Sequence, residues 1–98
     1  MLLTLWLTGA APYVQLGGGK ACPAGTYVSS VSECAIAALS LDLSDTTVYN
    51  GGVKNGANPY GCYMTASGSL NFNTDETHKG SDFVNTRTPL CKKGALIM

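Results

Sequence analysis

The spacing of apolar positions changes along this chain, and each spacing predicts a different element. Met1–Leu7 is almost continuously apolar. From Val31 the apolar residues Val31, Cys34, Ala35, Ala38 and Leu39 recur at i, i+3, i+4, i+7 and i+8, which predicts a helix that turns this face inward and carries Cys34 with it. Ser30-Val31-Ser32-Glu33 is a capping box, in which the hydroxyl and the carboxylate satisfy backbone N–H groups at a helix start, so the helix is expected to begin at Val31. It is expected to end near Leu41–Leu43, where Asp42, Ser44 and Asp45 turn the chain out. Tyr60–Met64 and Ser69–Asn73 read as two strands joined by the turn Thr65-Ala66-Ser67-Gly68, with Leu70 and Phe72 on one face and the asparagines on the other. Thr46–Tyr49 is a further short strand. Asn50-Gly51-Gly52, Asn55-Gly56 and Asn58-Pro59 mark turns between them.

These elements predict an α+β fold, loop-rich, with one short helix packed on a small antiparallel sheet. The chain divides into an apolar N-terminal segment (1–11), a glycine-rich linker (12–21) with Pro12 and Gly17-Gly18-Gly19, a module (22–93) and an apolar tail (94–98). Once the N-terminal segment and the linker are set aside, about 75 residues remain, a size at which a single apolar core supplies little stability and covalent links commonly supplement it.

Cys22, Cys34, Cys62 and Cys91 provide candidate links. Metal-binding cysteines usually come in pairs two to four residues apart, whereas the intervals here are 12, 28 and 29 residues. Such spacing suits two disulfides and no metal. Three pairings remain open; the nested arrangement, Cys34–Cys62 with Cys22–Cys91, is favoured because it ties the helix to a strand and the two ends of the module to each other. Disulfides place the chain in an oxidising compartment.

Composition narrows the class further. Six basic and six acidic residues cancel, leaving no electrostatic footprint for nucleic acid. Only 12% of residues are charged, so the surface is neutral and rich in hydroxyl and amide groups, as suits a secreted or lumenal protein or a subunit covered by neighbours. Met1–Ala11 resembles the apolar core of a secretory signal ending in small residues, although no Lys or Arg precedes it. The alternative is a retained apolar arm that docks on the module or on a partner. The run is too short to span a bilayer, so no transmembrane span of the chain's own is expected.

Candidate chemistry is sparse. Gly17–Lys20 lacks the strand and the Lys-Ser/Thr pair of a phosphate-binding loop. Asp75-Glu76-Thr77-His78, with Asp82 nearby, contains the only histidine, but consecutive loop positions point in different directions, so neither a catalytic residue nor a cofactor is expected. Glu33 is explained by its cap. Recognition tends to sit on loops held by a rigid scaffold, which makes Tyr49, Asn50, Asn55, Asn58, Tyr60 and Tyr63 the candidate ligand contacts, the tyrosines as exposed platforms for a sugar ring or peptide.

Ser32-Glu33-Cys34 with Ala37-Ala38, Pro59-Tyr60-Gly61-Cys62-Tyr63, Leu70-Asn71-Phe72-Asn73 and Leu90-Cys91-Lys92 together resemble a small four-cysteine module of uncharacterised microalgal and protist proteins, over about residues 20–93. The order of cysteine-bearing helix, Gly-Cys-aromatic strand, second strand and late Leu-Cys is also distantly similar to PAN/apple domains, which bind proteins or carbohydrates. Those domains carry a further cysteine where Ala37 or Ala38 stands here. The microalgal resemblance implies the cell exterior or a thylakoid lumen as the oxidising site. The expected function is a non-catalytic structural or accessory subunit whose partners are other protein subunits, in the lumenal case beside a photosynthetic membrane complex. The alternative is a secreted glycan- or peptide-binding module.

Overall fold

A computed structural model describes residues 12–17, 20–53, 58–82 and 86–93, with the backbone alone described at 50–53. The N-terminal segment 1–11, the tail 94–98 and Asn55 lie outside the described residues. The elements are β1 (Tyr13–Gln15), α1 (Val31–Ser40), β2 (Val48–Val53), β3 (Gly61–Met64), β4 (Leu70–Asn73), a 3₁₀ turn (Glu76–His78) and β5 (Thr88–Lys92). The strands form one sheet in the order β1-β5-β3-β4-β2, mostly antiparallel, with α1 packed on one face. The fold is therefore α+β, as the apolar spacing predicts.

Helix α1 starts where the capping box places it: the Ser30 hydroxyl accepts the Glu33 N–H at 3.0 Å. Glu33 reaches back one residue further than the ideal box, accepting the N–H and the hydroxyl of Ser29 at 2.9 and 3.0 Å. At the other end Asp42 takes φ 59°, while its N–H bonds the Leu39 carbonyl and that of Leu43 bonds the Ala38 carbonyl. This is a Schellman stop with aspartate in the left-handed position that glycine fills most easily. Asp42→Gly is expected to raise the urea midpoint by about 0.5–1 kcal/mol of stability; an unchanged or lower midpoint would contradict that assignment.

The helix is rotated from the expected orientation. Cys34, Ala37 and Ala38 are buried and Leu41 packs beside them, whereas Val31, Ile36 and Leu39 are exposed. Two constraints set the rotation: the Cys34–Cys62 bridge aims residue 34 at β3, and the short side chains at 37 and 38 let the helix backbone approach the sheet. Beneath them lie Val28, Cys62, Met64, Leu70, Phe72 and Leu90, all buried, with Tyr13, Leu43 and Val48 packed at the rim.

The β3–β4 hairpin pairs Cys62 with Phe72 and Met64 with Leu70, so these four share the helix-facing side. Gly68, at φ 91°, closes its turn, with its N–H bonded to the Thr65 carbonyl. Two expectations about the strands are corrected. Asn50-Gly51-Gly52 belongs to β2 and not to a turn; the strand runs parallel to β4, with Val48 opposite Leu70 and a register shift after Tyr49 that accommodates the glycines. Tyr13–Gln15, within the expected linker, is β1 and pairs with the last strand through Tyr13–Lys92, Val14–Cys91 and Gln15–Leu90. β5 itself contains Pro89, which reads as a breaker in sequence. The Pro89 carbonyl accepts the Leu16 N–H at 2.9 Å, so its nitrogen faces the same side, beyond the last paired residue of β1, and no rung toward β3 is lost.

Both disulfides take the nested pairing, Cys34–Cys62 and Cys22–Cys91, and no cysteine is free. The first joins α1 to β3. The second joins the segment after the linker to β5, where Tyr27 also bridges Cys91 and the Lys92 N–H bonds the Thr26 carbonyl at 2.7 Å. Among the described residues no helix is long and apolar enough to cross a membrane. Two disulfides suggest an oxidising compartment.

Candidate functional site

Two loops that are remote in sequence form an open cleft of about 450 Å³. One wall is the turn Pro23-Ala24-Gly25 beside Cys22; the other is Lys79, Gly80 and Asp82. Local hydrogen bonding shapes the first wall, since the Pro23 carbonyl accepts both the N–H and the hydroxyl of Thr26, at 3.0 and 2.7 Å. Cross-loop bonds hold the walls together: the Gly80 N–H donates to the Tyr27 hydroxyl at 2.6 Å and the Ala21 N–H to Asp82 Oδ1 at 3.0 Å. Lys20 adds an exposed ion pair to Asp82 at 3.7 Å, of the kind that contributes little stability.

Tyr60 stands next to this cleft. Its ring meets that of Tyr27 edge to face at 4.8 Å between centroids, and Lys79 Nζ lies 5.0 Å from the Tyr60 ring centre. Gly61, at φ 89°, permits the arrangement, because a Cβ there would lie 3.3 Å from Tyr27 Cδ1.

Among the described residues, the other sequence-predicted contacts Tyr49, Asn58 and Tyr63 do not line the cleft. Tyr63 is only 5% exposed, and burial, partly offset by the Arg87 charge, holds its hydroxyl pKa above the ordinary tyrosine value of 10.0. Tyr63 is therefore no exposed platform: Gly61 and Tyr63 alternate with Cys62 and Met64, and both faces of β3 are covered. Asn58 has a structural role, its Oδ1 accepting Arg87 Nε–H at 3.2 Å and its carbonyl accepting from buried Asn73 at 3.1 Å. Tyr49 is exposed on β2 opposite Asn71, and Asn50 follows it in the strand. Asp75 caps the 3₁₀ turn by accepting the Thr77 N–H at 2.9 Å, which accounts for one member of the acidic loop. Among the described residues no group of three metal-ligating side chains converges. With all four cysteines bridged, none serves as a nucleophile.

Two features escaped the sequence reading. The first is the exposed face of α1, where Ile36 is 55% and Leu39 68% accessible. Their neighbours Ser32, Ala35 and Ser40 carry no charge, and Glu33, one turn before Ile36, is turned to the edge of that face by its bonds to Ser29 and Tyr13. A helical plot centred on Cys34 and Ala37 in place of Cys34 and Ala35 would have shown it.

The second is a polar cluster around Glu33 that ties α1 to β1, β5 and the preceding loop. Tyr13 donates to Glu33 Oε2 at 3.0 Å, and Lys92 Nζ lies 3.9 Å from Oε1. Partial burial pushes the Glu33 pKa up. The Ser29 N–H and hydroxyl, the Tyr13 hydroxyl and the Lys92 charge outweigh it and carry the net value below the usual 4.5. Tyr13 is shifted above 10.0 by burial first and then by Glu33. A depressed carboxylate pKa gives stability that is present above the unfolded-state value and lost as pH falls through the folded-state value. Acid titration of stability is thus expected to show a component below about pH 4.5 that Glu33→Gln removes, with a loss of ~1–2 kcal/mol for that variant at neutral pH. Parallel pH profiles for the two proteins would sink this account.

No protein-family model, curated protein or solved structure matches the chain.

Proposed function

We propose that this chain is a non-catalytic accessory subunit of an oxidising compartment that docks on partner proteins through the outer face of α1. The exposure of Ile36 and Leu39 side by side on the outer helix face carries the reading. A large aliphatic side chain left in water forfeits roughly 1.5–3 kcal/mol of burial energy, and neighbouring pairs of this kind are common where a partner covers them. The uncharged Ser32, Ala35 and Ser40 beside the pair support the same reading, since desolvating charge on association is costly. The cell exterior and a thylakoid lumen beside a photosynthetic membrane complex are the finer placements that belong to the proposal.

The test is the double variant Ile36→Glu/Leu39→Glu, expressed in the native cells and isolated without reductant. Because both positions are exposed, its melting is expected to match wild type within ~0.5 kcal/mol, while subunits that co-purify with wild type are lost. Identical sets of co-purifying proteins would refute the docking face, and the identity of those proteins tests the compartment.

The cleft favours a second reading, a secreted glycan- or peptide-binding module. Lys79, Asp82 and the Tyr27 hydroxyl offer donors and acceptors beside the apolar Pro23 and Ala24. Glycan-array binding by the isolated chain that Lys79→Ala abolishes would support it.

A further inference from the structure

We propose that Cys22 is a thiol–disulfide exchange site, reached from the cleft by a low-molecular-mass thiol when the Pro23-Ala24-Gly25 turn moves, and that the Cys34–Cys62 bridge is closed to the same reagent. The inference concerns the covalent frame and goes beyond the docking role proposed above.

The two bridges differ in what surrounds them. Cys34 and Cys62 are 0% and 1% exposed, sandwiched between α1 and β3 and packed among Ala37, Ala38, Leu70 and Phe72, so a reagent would have to lift the helix from the sheet to reach either sulfur. Cys22 is itself only 3% exposed, but it borders the open cleft, and its neighbours Pro23, Ala24 and Gly25 are a short exposed turn instead of a helix. Displacing that short turn, which its bonds to Thr26 hold to β5, uncovers the sulfur without disturbing the core, and local openings of this kind require far less free energy than global unfolding. Charge works in the same direction. The Lys79 ammonium lines the cleft and, although 3.9 Å from Glu76 Oε2, is exposed enough to attract a thiolate as well, whereas the opposing Asp82 carboxylate is engaged by the Ala21 N–H and Lys20.

Cys91 is 0% exposed and does not border the cleft, which identifies the attacked atom as Cys22 Sγ. The incoming thiolate forms a bond to Cys22 Sγ as the Cys22–Cys91 bond breaks, and Cys91 leaves as a thiolate that takes a proton from water. A second thiol then attacks the mixed disulfide. It releases Cys22 as a thiol and leaves the two reagent molecules oxidised to their own disulfide, so two thiols supply the two electrons that reduce the bridge. After the first step the segment around Tyr27 is still held to β5 by the Lys92–Thr26 hydrogen bond and the Tyr27–Cys91 bridge. Exchange therefore loosens one edge of the cleft and spares the core.

The test treats the native, fully oxidised chain with glutathione at several concentrations, quenches with acid, alkylates free thiols and locates labels and adducts by mass spectrometry. Cys22–Cys91 is expected to open roughly tenfold or more faster than Cys34–Cys62, at a rate proportional to thiol concentration, with the glutathione adduct on Cys22. Ala24→Trp, which fills the mouth of the cleft from an exposed position, is expected to slow the first reaction and leave the second unchanged. Equal rates for the two bridges, an adduct confined to Cys91, or an Ala24→Trp protein that reacts like wild type would overturn the proposal.

Discussion

Cys62→Ser is expected to cost about 2–5 kcal/mol in urea unfolding without reductant, enough to leave much of the chain unfolded at physiological temperature. The bridge to Cys34 spans 28 residues, and in the chain-entropy model closing a loop of that length removes unfolded-state disorder worth roughly 3.5 kcal/mol. A protein of this size has on the order of 5–15 kcal/mol in total. Serine also inserts a hydroxyl at a position 1% exposed, opposite a Cys34 that becomes a free buried thiol. Cys22→Ser opens the longer span of 69 residues and is expected to cost at least as much in the unfolded-state term, about 4.5 kcal/mol. A difference between the two variants appears elsewhere: Cys62→Ser detaches α1 from β3, so its near-ultraviolet dichroism should change most, whereas Cys22→Ser frees a segment at the sheet end. Equal midpoints for wild type and Cys62→Ser would mean that helix and sheet are held without the bridge.

Leu90→Ala is expected to cost a further ~2–5 kcal/mol, the range for truncating a fully buried leucine where neighbours relax little. Leu90 is 0% exposed in β5, which lies between β1 and β3, and it packs in the cluster under α1. Its neighbours are in paired strands and a bridged helix, so the resulting cavity has little means of closing. Leu39→Ala is the matched control: the same atoms are removed from a side chain 68% exposed, and a change within ~0.5 kcal/mol is expected. If both substitutions cost the same, the assignment of inner and outer helix faces would have to be reversed.

What was legible in the sequence was local. The start of α1 follows from Ser30 and Glu33, three residues apart, and the β3–β4 hairpin from alternating side chains around a glycine turn. The nested disulfides, one of three pairings open in the sequence, are favoured there because they join one helix to one strand and the module's ends to each other. What depends on remote partners was not legible. β1 and β5 exist because they pair with each other from opposite ends of the module, and Pro89 is tolerated only because of where β1 stops. The orientation of α1 escaped for a different reason: by hydropathy Leu39 belongs inside, yet the bridge at Cys34 and the close approach allowed by Ala37 leave it outside. The cleft joins residues 21–27 to 79–82, and no periodicity or motif connects those stretches. Among the predicted contacts whose side chains are described, Tyr60 alone comes to its margin, through Tyr27 and Lys79.

The pairing of β1 with β5 also orders the birth of the protein. A chain that emerges from a ribosome or a translocation pore N-terminus first exposes Cys34 and Cys62 well before residue 91, so the inner bridge can close while α1 and the β3–β4 hairpin condense. Cys22 has to wait. Its partner and the strand that β1 requires arrive together at the end of the module, and Lys93, which donates its N–H to the Pro12 carbonyl at 2.9 Å, comes later still. During that interval Cys22 is the earliest unpaired thiol, and Cys34 is its nearest wrong partner. Completion of the sheet therefore waits for the last strand of the module, and an oxidising folding catalyst that reshuffles a premature Cys22–Cys34 link would set the yield of native chain.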